Sequence, residues 1–378
     1  MKAKNTVFIA ALYVGLSSFV AAETLYVTGS TAFRASFVGA VVRLMGNSCQ
    51  AKWTGSGTVT AANQSVFSGS IGGVPLVVNC SWSGSVSGIQ SLTNPADIVD
   101  SFLSETGLTA LTLTGYPLTP TFSPTTNTGT GLALIAGEAD IAMSDVFQGS
   151  TAFTTPSLID NTVAVVPFKM VASDGSPPLI DNLTPLMTQL LYGSGKISLA
   201  LFTGLSTDNL KSVYALGRDN GSGTRLTVMA ESGKGALNPV VQYTTTNGTT
   251  FTLTSFAGNG GSGSGSGVAG QLAFSTVAAT GFAIGYLGLP DSATAVTGGA
   301  KELKWNGVLY SAAGVQGGQY TLWGYQHLFV GPAASPNDSA AANAIAGELV
   351  VNPGTAGIAL GTMNVQRGSE GGLVDLNN

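Results

Sequence analysis

The chain has 378 residues, of which only 9% are charged, and a formal net charge of −5 with no basic cluster among its 14 Lys and Arg. Average soluble proteins carry about 25% charged residues and nucleic-acid binding requires Lys/Arg stripes, so a nucleic-acid partner is excluded and a Gly/Ser/Thr-covered exported protein is indicated. With one histidine, His327, and two cysteines, Cys49 and Cys80, there is no ligand cluster for a metal site and little material for acid–base catalysis.

The first residues read as an address. Lys2 and Lys4 precede an apolar stretch, Val7 to Val20, and Val20-Ala21-Ala22 offers a small-residue cleavage pattern. Residues 1–22 are therefore expected to be a signal peptide, too short for a permanent membrane anchor. The mature chain would begin near Glu23 and act in the periplasm or after secretion. In an oxidising compartment the default for Cys49 and Cys80 is one disulfide, closing an insertion over about residues 46–80.

Leu25-Tyr26-Val27 reads as a strand running into Thr28-Gly29-Ser30-Thr31-Ala32, followed by a helix over Phe33 to Met45 with apolar residues at helical spacing. Val74 to Val78 is a second strand, and a helix is expected from Ile89 after Gly84-Ser85-Val86-Ser87-Gly88. Residues 94–130 are rich in Pro, Thr and Gly and read as irregular. Ala139 to Met143 is another strand, ending at Ser144-Asp145. Val163 to Val171 and Phe282 to Leu287 are apolar runs suited to crossing between two domains. Leu183 to Tyr192 reads as a helix, and Val213 to Leu216 as a strand emptying into Gly217-Arg218-Asp219-Asn220-Gly221-Ser222-Gly223-Thr224. The Gly258–Gly267 tract, nothing but Gly, Ser and one Asn, reads as a flexible surface loop. A strand around Tyr325 to Val330 and a helix over Ala340 to Leu349 complete the chain.

Four strands thus end in clusters of glycine and small hydroxyl residues, three of them where a helix should begin. The first amides of a helix have no intrahelical acceptor and share a partial positive charge, so they hold anions without formal charge. Arg218, one of only five arginines, adds a planar fork for two anion oxygens. No Gly-x-Ser-x-Gly elbow appears, and Gly193-Ser194-Gly195-Lys196 lacks the first glycine and the final hydroxyl of a phosphate-binding P-loop.

The segment Gly217 to Arg225 resembles the signature loop of the phosphate-binding proteins of ABC transporters. That resemblance implies that Arg218, Ser222, Gly223 and Thr224 hold inorganic phosphate, with an acidic neighbour fixing the arginine. Asp219 is the candidate for that neighbour, and Asn220 stands where some members carry the acid. Thr28 to Phe33 is similar to the family's first loop, implying contacts from Ser30, Thr31 and Ala32. Ala139 to Asp145 resembles its third element and gives Asp145 a ligand role. The second loop has two candidates: Ser85, which follows a strand, and Thr128, which has the family's usual spacing to Asp145.

An acceptor-only carboxylate at Asp145 would face lone pairs in sulfate but a proton in HPO4²⁻ or H2PO4⁻. It would admit phosphate and reject sulfate by charge repulsion. The expected fold is α/β, the two-lobed type II periplasmic-binding-protein fold. Its lobes would be residues 23–165 with 286–378 and residues 166–285, joined by two hinge strands. The expected function is phosphate capture, with no catalysis and no cofactor, the permease of an ABC transporter as partner, and no membrane insertion once the signal is cleaved. The other reading is a secreted or surface protein that keeps the binding fold for a structural or adhesion role.

Overall fold

Leu25 and Val27 have no exposed surface because the strand that carries them is paired on both edges and covered on both faces, as continuous apolar runs in parallel sheets require. A computed structural model describes residues 22–55, 58–98, 100–106, 108–110, 113–114, 119–120, 128–129, 132–274 and 281–377. Residues 1–21, nearly all of the expected signal peptide, and parts of the 94–130 stretch lie outside the described residues; where described, that stretch is not all irregular, since Asp100–Leu103 is a strand paired with Leu134–Gly137.

The first part is built from β1 (Glu23–Gly29), α1 (Arg34–Met45), β2 (Gln50–Thr54), β3 (Gln64–Ile71), β4 (Val74–Ser81), α2 (Ser85–Thr93) and β5 (Ile141–Ser144). β1 lies between β4 and β5, parallel to both. α1 buries Phe37, Val38, Val41, Val42 and Met45. The long strand β6 (Ile159–Ala172) then leads to α3 (Pro185–Ser194), β7 (Lys196–Ser198), β8 (Ser212–Ala215), α4 (Gly223–Glu231), α5 (Gly265–Leu272) and β9 (Gly281–Gly288). α6 (Leu289–Thr297), β10 (Trp323–Val330) and α7 (Pro336–Val351) follow. The sheet runs β7-β8-β9-β6-β10-β5-β1-β4-β3-β2. β6 is the shared element: Ile159 to Pro167 pair with β10, and Phe168 to Ala172 pair with β9. β10 in turn pairs with β5.

Two expectations change. The segment after Met45 is not a loop pinned by a disulfide; β2 and β3 extend the main sheet through β4. The thiols of Cys49 and Cys80 are free and buried. Their separation has a topological cause. Gln50, next to Cys49, pairs with Ser68 of β3, and Cys80 pairs with Ser65 on that strand's other edge. One strand intervenes, and adjacent strands lie about 4.8 Å apart, so the Cα atoms are beyond the roughly 7 Å limit for a bridge. Burial pushes the Cys49 thiol up to about 12 and that of Cys80 higher still, and both behave as small apolar side chains.

Asp140, half-buried beside β5, accepts the Tyr26 amide at 2.8 Å. Burial, with Asp338, Glu23 and Glu138 nearby, pushes its carboxyl up to about 6. A carboxyl whose folded value is raised takes up a proton on folding, so its contribution is complete below the ordinary carboxylate range and is lost as pH rises through about 6. Asp140→Asn keeps an acceptor for Tyr26. Its thermal midpoint is expected to match the wild type near pH 4 and to exceed it above about pH 6.5; parallel curves over that range refute the assignment.

The chain end crosses the seam between the two parts. Arg367 pairs with Glu231 at the end of α4, lies 4.0 Å over the Trp323 ring, and donates to the Thr321 carbonyl at 2.9 Å. Glu231 also accepts the Gly371 amide at 3.1 Å. One residue earlier, Glu370 accepts the Phe147 amide at 3.0 Å, two positions after Asp145.

Candidate anion-binding site

The first-part loops converge at the carboxyl ends of β1, β4 and β5, where open α/β sheets place their ligands. Gly29 makes this possible. Its φ is +109°, and a Cβ there would lie 2.0 Å from the Met143 carbonyl oxygen, so only glycine can let the first loop cross the end of β5. The Ser30 amide donates to that same carbonyl at 2.7 Å, and the Gly84 amide donates to the Gly29 carbonyl at 2.8 Å. Ser30, Thr31 and Ser85 are buried at the meeting point. The Ser30 hydroxyl has no partner among the described residues.

Asp145 is 1% exposed. One carboxylate oxygen takes the Ser85 hydroxyl in a short hydrogen bond, and the other takes the Thr224 hydroxyl of the second part at 3.2 Å. Burial raises the Asp145 carboxyl above the ordinary range, opposed by the Ser85 hydrogen bond, the Arg218 charge and Thr224. A carboxyl poised in this way can share a proton with its ligand.

Arg218 lies beyond the end of β8 and is also buried. Its Nη1 donates to Thr31 Oγ1 across the cleft at 3.1 Å. Nε and Nη2 donate to the carbonyls of Ser262 and Gly263, each at 2.9 Å. Behind it, the Arg218 amide donates to the Tyr286 hydroxyl, which donates to Gln242 Oε1, both at 3.0 Å. Gln242 Nε2 returns to the Arg218 carbonyl at 2.9 Å. The guanidinium is thus held on one edge and offered on the other. Its orienting partners are backbone carbonyls, and Asp219 instead accepts the Gly221 amide at 3.1 Å. The expected acidic clamp is therefore replaced by the Gly/Ser tract, which is packed against Arg218 and continues into α5 with Ser264 as its N-cap.

Ser222 caps α4, its hydroxyl accepting the Arg225 amide at 3.3 Å. That leaves the Gly223 and Thr224 amides, in the first turn, without intrahelical acceptors. The Gly221 carbonyl reaches across to the Val86 and Ser87 amides of α2 at 2.9 and 3.2 Å. The structure therefore brings together Thr31, Ser85, Asp145, Arg218, Gly223 and Thr224, with Ser30 and Ala32 flanking Thr31 in the chain and Ser222 at the cap of α4. Thr128 is elsewhere: Thr128–Gly129 pairs with β2, at the far side of the sheet. The expectation missed Ser262, Gly263, Gln242 and Tyr286. Two of these act through carbonyls, which residue identity does not announce. His327 is buried in β10, where it meets Asp160 at 2.8 Å; it pairs with Ser144 beside Asp145 and packs against Phe147, but bonds to none of the candidate site side chains.

No family model and no curated protein matches the chain. Among solved structures it is similar to a phosphate ABC transporter substrate-binding protein from Clostridium perfringens with bound phosphate. The identity is 12% and the TM-score 0.50, over 89% of this chain and 99% of that one. An ABC-type phosphate transport receptor from Vibrio cholerae is 14% identical, with a TM-score of 0.47 over 87% of this chain and 98% of that one. The first likeness is one of fold: the chain has the two-lobed type II binding-protein architecture.

Proposed function

We propose that this protein is an exported solute-binding protein that captures inorganic phosphate in the cleft and is not an enzyme. The observation that carries the reading is the pair of contacts that close the cleft, Arg218 to Thr31 and Thr224 to Asp145, around the unpartnered Ser30 hydroxyl. A guanidinium, first-turn amides of α4 and three hydroxyls are donors suited to an oxyanion. The one carboxylate suits an oxyanion that carries a proton. Ser30, Thr31, Ala32, Ser85 and Asp145 would form one wall, and Arg218, Ser222, Gly223 and Thr224 the other. The lobe boundaries, residues 23–165 with 286–378 against 166–285, belong to the same proposal. Delivery to the permease of an ABC transporter, from the periplasm or after secretion, is the biological context of the proposal; the fold's likeness to a phosphate ABC transporter substrate-binding protein supports the transport part.

Asp145→Asn tests the site. An amide can donate to sulfate where the carboxylate repels it, so the variant is expected to bind sulfate and phosphate within about tenfold of each other while the wild type binds phosphate alone. Calorimetry showing the same sulfate rejection by both proteins removes the role given to Asp145.

A further inference from the structure

Both walls of the candidate site meet the end of one strand, β9. It runs parallel to β8 from Gly281 to Ile284 and antiparallel to the shared strand β6 from Ile284 to Gly288. Tyr286 lies past the last residue paired with β8, at the proposed boundary between the lobes, opposite Met170 of β6. Its hydroxyl accepts the Arg218 amide at 3.0 Å. Two residues further, Gly288 lies against the first loop, where a Cβ on it would stand 3.1 Å from the Ala32 Cβ. A short length of strand thus touches Arg218 in one wall and the residue after Thr31 in the other.

The Tyr286 contact belongs to a closed circuit. Tyr286 donates to Gln242 Oε1 at 3.0 Å, and Gln242 Nε2 donates to the Arg218 carbonyl at 2.9 Å. The amide and the carbonyl on either side of the Arg218 Cα are both fixed, which sets the direction in which the side chain leaves the backbone. Gln242 Nε2 also donates to the Gly260 carbonyl at 2.8 Å, two residues before Ser262, whose carbonyl takes Arg218 Nε. One amide side chain therefore holds the arginine's backbone and the tract that aims its fork. Neither Tyr286 nor Gln242 has any exposed surface. Burial pushes the Tyr286 phenol up to about 12, so it remains a donor at neutral pH. Gly217 makes room for the circuit, since a Cβ there would lie 1.9 Å from Gln242 Oε1 and 2.6 Å from the Tyr286 hydroxyl.

We propose that Tyr286 and Gln242 are positioning residues for anion capture, tying the aim of the Arg218 fork to the strand that crosses between the lobes. This rests on the reading of the cleft as a phosphate site. A recognition group has to be held within about 0.5 Å of its productive geometry by neighbours that are themselves locked. The circuit meets that need from behind, because it acts on the backbone of Arg218 and leaves the free edge of the guanidinium to the ligand.

Calorimetric titration of the intact chain with inorganic phosphate, with thermal midpoints recorded alongside, tests the role. Tyr286→Phe keeps the aromatic packing but removes the acceptor of the Arg218 amide, and is expected to weaken phosphate about tenfold. Gln242→Met, similar in length and without strong donor or acceptor, should cost about tenfold or more. The double variant should bind within about threefold of the weaker single one, because both changes break the same circuit. Tyr192→Phe is the control. Tyr192 is equally buried, its ring lies 5.4 Å from that of Tyr286, and its hydroxyl donates to the Leu216 carbonyl at 2.8 Å. Losing that hydroxyl should lower the thermal midpoint about as much as Tyr286→Phe does, yet leave phosphate affinity within about threefold of wild type. The role is overturned if Tyr286→Phe and Gln242→Met bind phosphate within about threefold of wild type, or if Tyr192→Phe weakens binding as much as they do. A wild type that binds no phosphate removes the reading of the cleft first, and the positioning role with it.

Discussion

Arg218→Ala is expected to weaken phosphate binding by roughly 30-fold to several thousand-fold, because truncating one partner of a buried, hydrogen-bonded charge pair costs about 2–5 kcal/mol. The loss has two sources. The anion forfeits its only formal positive partner in the inner site, and Asp145 keeps a buried charge that Arg218 had been offsetting. Arg218→Lys should recover little. An ammonium cannot donate to the carbonyls of Ser262 and Gly263 in the planar geometry that now holds the fork. Calorimetry on both variants, with thermal midpoints recorded to separate misfolding from lost contact, decides the matter. Affinity within threefold of wild type for the alanine variant would remove Arg218 from the site.

The second large effect is expected at Gly223, where a Cβ would lie 1.8 Å from Asp145 Oδ1 and 2.7 Å from the Ser85 Cβ. Both neighbours belong to the opposite wall, and Gly223 itself is an ordinary helical residue of α4. Gly223→Ala should therefore leave each lobe folded and wedge the cleft open. Overpacking costs of about 1–3 kcal/mol translate into a 5- to 150-fold loss of phosphate affinity. Small-angle scattering should also show a variant that stays expanded when phosphate is added, since hinge closure around a ligand is the motion this architecture permits. A compact variant with unchanged affinity would mean that the walls do not meet as described.

The candidate site was legible wherever its chemistry depends on side-chain type at a strand end. Arg218, Asp145, Ser85 and the Ser30–Thr31 turn are polar or charged residues placed at the exits of apolar runs, and both the runs and the exits are visible in the sequence. What could not be read were contacts made by backbone atoms. Ser262 and Gly263 lie in a tract whose composition signals a loose loop, yet their carbonyls orient the arginine. The bridge between Cys49 and Cys80 failed as an expectation for a different reason. Counting cysteines assumes that the chain between them is free to close, and the hairpin strand β3 inserts itself between the two.

The tail that carries Arg367 and Glu370 has a consequence for how tightly such a cleft can grip. Glu231, its anchor on one side, ends the helix that carries Thr224 in its first turn. Phe147, its anchor on the other, is reached across 223 positions of chain. The stiffness of both jaws is therefore set in part by a stretch of sequence that lies outside the proposed anion site. Shortening the protein from that end would slacken the grip while leaving every recognition group in place.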